Sequence, residues 1–210
     1  MLADEFPVLV HKESEYSMNL SFEFSRYLYG MKLFTTIAMA LLVQSPLIYD
    51  FTHTSPPNDW KVIDDVVMGG KSYGRFRIDS EGHGVFYGNV SLENNGGFSS
   101  LRYQFEKINT YKNSQIVIRL KGDGKQYQFR VKNNRNTYYS YTTTFKTTGD
   151  WENITINLKD MYPSFRGRTL NMPHFNENSI EEVVFLIGNK KNESFELVLD
   201  RIDITHSMTP

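Results

Sequence analysis

The sequence predicts an all-β fold, a β-sandwich of jelly-roll type, on three observations. From Leu47 onward, short runs of alternating apolar residues are divided by clusters of Gly, Asn, Asp and Pro, such as "DSEGHG", "ENNGG" and "KGDG". Thirteen Tyr and fifteen Phe fall mostly in those runs, where aromatic rings suit a pleated, half-buried surface. Helical stretches are few, and about ten antiparallel strands in roughly 160 residues fit two packed sheets.

The expected strands follow one another as "LIYDF", "YGRFRI", "GVFYGNV", "FSSLRYQF", "SQIVIRL", "KQYQFRVK", "TYYSYTTTF", "WENITINL", "EEVVFLIG" and "SFELVLDRIDI". Alternation assigns their faces, because successive side chains on a strand point to opposite sides. In "KQYQFRVK", Tyr127, Phe129 and Val131 share one face and Gln126, Gln128, Arg130 and Lys132 the other. Ile116, Ile118 and Leu120 share a face of "SQIVIRL". The run Val183 to Ile187 is apolar on both faces, as a central or doubly covered strand is. With no internal repeat or low-complexity tract, residues 46–206 read as one β-sandwich domain.

Residues 1–45 read as an N-terminal extension of different character. Within it, residues 31–45 carry Met31, Lys32 and an uncharged apolar run from Leu33 to Val43. That run is too short to cross a bilayer, which takes roughly 20 residues, so no integral membrane span is expected. It has the form of the apolar part of an export signal, with Lys32 ahead of it and Val43-Gln44-Ser45 as the cleavage site. Five acidic residues and a single Arg fit a mitochondrial transit peptide poorly. The expectation is an exported, periplasmic protein if Met31 starts the signal, and a cytoplasmic one otherwise.

Composition narrows the chemistry. With 23 basic against 24 acidic residues, no net field points to nucleic acid as a partner. The absence of Cys removes disulfides, thiolate metal sites and Cys nucleophiles together. The five His lack zinc-site spacing, so neither a metal nor any other cofactor is expected. "GGKS", residues 69–72, resembles the end of a phosphate-binding loop. Such a loop needs Gly at position 65 and a helix after it; Asp65 stands there, and Tyr73 to Ile78 alternates as a strand. Asp64, Asp65, Asp123 and Asp150 are the candidate acids for a two-carboxylate hydrolase, but each lies in turn-like sequence, where Asp commonly accepts local hydrogen bonds. No catalytic residue is therefore assigned.

Five clusters in order carry a resemblance: "DWKVIDDVVMGGKSYGRF", "GNVSLENNGGFSSLR", "LKGDGKQYQFRV", "TFKTTGDWENITINLKDMYPSFRGRTL" and "SIEEVVFLIGNKKNESFELVLDRIDI". Together, over roughly residues 47 to 204, they resemble the complex I intermediate-associated protein 30 family. The resemblance implies a galactose-binding-like sandwich, close in shape to some carbohydrate-binding modules. It also implies an assembly-factor or chaperone role, with assembly intermediates of respiratory complex I (NADH:ubiquinone oxidoreductase) as protein partners, and no catalytic residues. The export-like segment departs from the mitochondrial members of the family.

The motif residues define a candidate loop surface at one end of the sandwich: Asp64, Asp65, Met68, Gly69, Gly70, Ser72, Asn95, Gly96, Gly97, Phe98, Arg102 and Arg166. The two Gly pairs are expected to supply positive φ or close backbone approach. Asp64 or Asp65 is expected to accept free backbone N–H groups, Arg102 and Arg166 to pair with those carboxylates, and Trp60 and Phe98 to pack beneath. The alternative function is a carbohydrate-binding module, with a glycan partner stacked on Tyr138, Tyr139, Tyr141 and Trp151.

Overall fold

The computed structural model describes residues 25, 26, 28 and 46–206; the expected export signal at 31–45 lies outside the described residues. Residues 46–206 form two antiparallel sheets. The first contains β1 (Leu47–Asp50), β3 (Tyr73–Ile78), β4 (Gly84–Val90), β6 (Ser114–Lys121), β9 (Trp151–Asn157) and β13 (Glu193–His206). The second contains β2 (Trp60–Asp64), β5 (Ser99–Asn109), β7 (Gln126–Lys132), β8 (Ser140–Lys146), β10 (Tyr162–Phe165), β11 (Arg168–Thr169) and β12 (Ser179–Ile187). The order in the first sheet is β3-β4-β13-β6-β9, with β1 also on β13; in the second it is β11-β10-β8-β7-β12-β5-β2. The chain is all-β, and the two sheets make a sandwich.

The inner faces of both sheets supply one core. Period-two burial is clear in β6, where Ile116, Ile118 and Leu120 are buried, and in β7, where Tyr127, Phe129 and Val131 are. Trp60 anchors one end, stacked on Tyr103 at 5.0 Å and on Phe51 at 5.4 Å. Aromatic pairs at such distances add to the stabilisation that area burial gives.

Three strands escape the sequence reading. β2 is short and its residues Lys61 and Ile63 put a charge and an aliphatic on one face, which blurs the alternation. β10 and β11 are edge pieces of four and two residues, and Pro163 within β10 is tolerated only in such a peripheral strand. β12 sits between β7 and β5, and its outward-facing Val184 and Leu186 are also buried, at 4% and 8% exposure. That face is the floor of the candidate site.

Candidate functional site

Two adjoining regions hold the motif residues. The first is a clasp at the end of the sandwich, built around the consecutive acids Asp64 and Asp65. A short 3-10 turn, Asp65–Met68, ends at Gly69 with φ of 90°, and the chain then enters β3 rather than a helix. Asp65 is 0% exposed. Its carboxylate accepts the Ser72 backbone N–H at 2.9 Å, the Ser72 hydroxyl, and the backbone N–H groups of Gly97 and, at 3.2 Å, Phe98. A Cβ on Gly70 would run into that carboxylate, and one on Gly96 would lie 2.6 Å from its Oδ2. One glycine of each pair thus makes room for Asp65, while Gly69 and Gly97 take positive φ.

Asp64 completes the clasp by accepting the Gly74 backbone N–H at 2.9 Å and the Ser99 hydroxyl. Gly74 belongs to β3 in the first sheet and Ser99 to β5 in the second, so this side chain ties the two sheets together. Burial by itself raises the Asp65 pKa; the bonds from Ser72, Gly97 and Phe98 outweigh it and hold the carboxyl below its ordinary value. Asn95, in the adjoining turn, has positive φ and is exposed.

The second region is a groove of about 700 Å³ across the outer face of the second sheet. Val184 and Leu186 of β12 form its floor, with Ser100 and Arg102 of β5 on one side and Gln128, Arg130 and Lys132 of β7 on the other. Ile63, Met68, Gly97 and Phe98 close it at the clasp, and Tyr138, Phe165 and Arg166 at the opposite side. Four cations and no acid line it: Arg102, Arg130, Lys132 and Arg166. Arg102 and Arg130 stand in register on either side of Val184.

Among the described residues their partners are sparse. Arg102 Nη1 lies 3.6 Å from Glu182, which is 0% exposed on the same face, and Arg102 Nε is buried with no hydrogen-bond partner. Glu182 Oε2 accepts from Gln104 at 2.7 Å, while its Oε1 is unpartnered. Arg130 donates only to the neutral Gln128 side chain, at 2.6 and 3.1 Å, and Lys132 to the Thr137 carbonyl. Burial, and then the like charge of Arg102, push the Arg130 pKa down. Burial also lowers that of Lys132, with Glu182 opposing and Arg102 adding to the shift.

The motif residues therefore separate. Met68, Gly97, Phe98, Arg102 and Arg166 line the groove; Asp64, Asp65, Gly69, Gly70, Ser72 and Gly96 build the clasp beside it. Arg102 pairs with Glu182 rather than with a clasp carboxylate, because Asp64 and Asp65 already spend their oxygens on local N–H and O–H groups. Arg166 stacks over the Phe165 ring at 5.3 Å. Phe98 lines the groove where it meets the clasp.

Sequence reasoning missed Gln128, Arg130, Lys132, Val184 and Leu186 as a site. The available signal was a central strand apolar on its outer face, flanked by a strand whose outer face is basic. Among the aromatics weighed for sugar stacking, Tyr141 is buried, Trp151 lies on β9 of the first sheet, and Tyr138, 64% exposed, borders the groove. Of the four acids weighed for hydrolysis, Asp123 accepts from Lys125, Tyr127 and the Glu196 backbone; with Asp64 and Asp65 in the clasp, three are held in structural bonds. Among the described residues, no cluster of three or more His, Cys, Asp or Glu could hold a metal ion, and no helix is long and apolar enough to cross a membrane.

Residues 49–199 match the family model described as complex I intermediate-associated protein 30 (CIA30). Among solved structures, a family 11 carbohydrate-binding module from Clostridium thermocellum, in complex with a β-1,3-1,4-mixed-linked tetrasaccharide, is similar with a TM-score of 0.57 at 14% identity. That likeness covers 79% of this chain and 98% of the module. The family 11 module of the cellulosomal cellulase Lic26A-Cel5E of the same organism gives 0.58 at 14%, over 80% and 98%. An agarase gives 0.54 at 10%, over 78% of this chain and 26% of the agarase. At these identities the likeness is one of fold.

Proposed function

This chain belongs to the complex I intermediate-associated protein 30 family, and from that premise we propose that it is a non-enzymatic protein-binding domain of assembly-factor type, serving the construction of respiratory complex I. The observation that carries the reading is the family match over residues 49–199. The groove supports it physically, since recognition commonly sits where loops meet a rigid scaffold. An open sheet face with an aliphatic floor, Val184 and Leu186, and a charged border suits a polypeptide segment. The test is deletion of the gene followed by measurement of complex I on native gels. Accumulated subassemblies and a loss of the mature complex are expected; normal assembly overturns the reading.

The alternative is a glycan-binding module. Its support is the shared sandwich with carbohydrate-binding modules and Tyr138 at the groove border. A glycan array with neutral β-glucans distinguishes the two, binding being expected only on the alternative.

A further inference from the structure

The groove carries more positive charge than its own structure uses. Arg102, Arg130 and Lys132 face one another across three neighbouring strands; Glu182 acts on Arg102 and Lys132, and Arg130 has only the neutral Gln128. Strand spacing near 4.8 Å places the Arg102 and Arg130 backbones about 10 Å apart, with only the small Val184 between them. Two forked guanidiniums at that separation, one with a buried Nε lacking a partner, form a receptor for a planar carboxylate. Arg166 adds a fourth cation with no acid partner among the described residues.

The charge continues along β7. Beyond Gln128 the face reaches Gln126 and a second depression of about 690 Å³, lined by Lys125, Lys146, Lys190 and Lys191 and sharing Gly188 with the groove. Lys125 and Lys191 are paired to Asp123 and Glu193, whereas Lys146 and Lys190 have no ion pair among the described residues. From Gln126 to Lys132 the strand spans roughly 20 Å at about 3.3 Å per residue. The chain as a whole is nearly neutral, so the attraction of this track for an acidic segment is local rather than a property of the net charge.

We propose that this track binds an extended, acidic segment of a partner protein, with one carboxylate seated between Arg102 and Arg130 and further acids directed toward Lys146 and Lys190. The proposal rests on the protein-binding reading and names the chemistry of its partner. Extended backbone sends every second side chain to the same side, about 7 Å apart. A segment with an acid at every second position therefore turns all of those acids toward the face that bears the guanidiniums, with its intervening side chains on the far side. A single-stranded nucleic acid would need several aromatic faces for its bases; the exposed rings lining the groove are Tyr138 and Phe165, packed edge-on to each other, with Arg166 over the Phe165 ring.

The test is fluorescence anisotropy with the full chain and a labelled peptide alternating Asp with Val and Thr. Controls are its Asn counterpart, an oligothymidylate and polygalacturonate. The expected result is binding of the acidic peptide at least tenfold tighter than the Asn peptide, weakened by salt, and lost by tenfold or more in Arg130→Gln and in Arg166→Gln. Lys112→Gln, in the exposed loop between β5 and β6, leaves it unchanged. Arg102→Gln strands the buried Glu182, so it is measured beside Arg102→Gln/Glu182→Gln, which keeps that arm readable. Equal affinity for the Asp and Asn peptides, indifference to Arg130 and Arg166, or tighter binding of polygalacturonate or oligothymidylate through the same residues overturns the proposal. Complementing the gene deletion with Arg130→Gln separates the two readings: full rescue of a real assembly defect removes the acidic-segment proposal and leaves the assembly role standing. Intact assembly in the deletion strain, with peptide binding as expected, removes the role and leaves the binding chemistry.

Discussion

The clasp and the groove lie side by side and share Gly97 and Phe98, yet they treat polar groups in opposite ways. In the clasp, Asp65 is wholly enclosed and its carboxylate accepts bonds from Ser72, Gly97 and Phe98. In the groove, Arg102 Nε and Glu182 Oε1 are buried and unpartnered, and Arg130 has only a neutral amide. A buried polar group left without a partner costs roughly 1–3 kcal/mol, so a fold selected for stability alone would not retain such a row of cations. Satisfied polarity holds the sheets together at the clasp, whereas the groove face keeps Arg102 Nε and Glu182 Oε1 without partners, as Trp60 Nε1, Asn133 Oδ1 and Glu193 Oε2 are elsewhere among the described residues.

The largest effect expected on that contrast comes from Asp65→Ala. Removing the carboxylate leaves backbone N–H groups of Ser72, Gly97 and Phe98 enclosed without an acceptor, at a cost of about 3–5 kcal/mol in urea unfolding. A loss under about 1 kcal/mol would mean that solvent reaches these groups, and the clasp would no longer be distinct from the groove. The same carboxyl gives a pH signature. Its folded pKa lies below the ordinary 3.8, so its stabilisation is complete above that value and is lost as pH falls through the folded one. Wild type should lose stability steeply below about pH 4, and Asp65→Asn should show a shallower acid limb.

Gly96→Ala is next. Gly96 has φ of −69°, an ordinary value for any residue, so the penalty is steric: the new Cβ meets Asp65 Oδ2 at 2.6 Å. A loss of about 2 kcal/mol is expected. In the Asp65→Ala background part of it should vanish, because Oδ2 is gone while the Ser91 carbonyl oxygen, 2.9 Å from the new Cβ, remains. A double-mutant cycle with no coupling would show that Gly96 serves some other purpose.

How much of this the sequence disclosed follows from the range of the interactions. The strands of β6 and β7 were legible because period-two alternation is local, and the P-loop reading failed on local grounds too, at Asp65 and at the strand after Ser72. The clasp was half legible. Gly-Gly beside Asp-Asp announces tight turns, but nothing in the order of residues says that Asp65 reaches Gly97 and Phe98 across more than 30 positions. The same blindness produced the expected Arg102–clasp pairing, which the structure replaces with Glu182, 80 residues away in sequence. The groove was least legible because it is assembled from β5, β7, β12 and the loop bearing Arg166. Arg130 and Lys132 read correctly as the polar back of a core strand; that this back is half-enclosed depends on which strands flank it.

The smallest expected effect on stability belongs to Arg130→Gln, and it sharpens the comparison most. Arg130 is largely withdrawn from water and pushed down in pKa by that burial and by Arg102, so its charge is not favoured where it sits. Its neighbours gain nothing from it beyond the bond to Gln128, which a Gln side chain at the same position is too short to need. Replacement should therefore change unfolding free energy by no more than about 0.5 kcal/mol, in either direction, with the same urea dependence and hence the same exposed surface. Loss of several kcal/mol would show Arg130 to be part of the scaffold, and the groove would become a second clasp. A fold unharmed by removing a half-buried guanidinium, together with acidic-peptide binding reduced tenfold or more, is the outcome that only a charge kept for recognition explains.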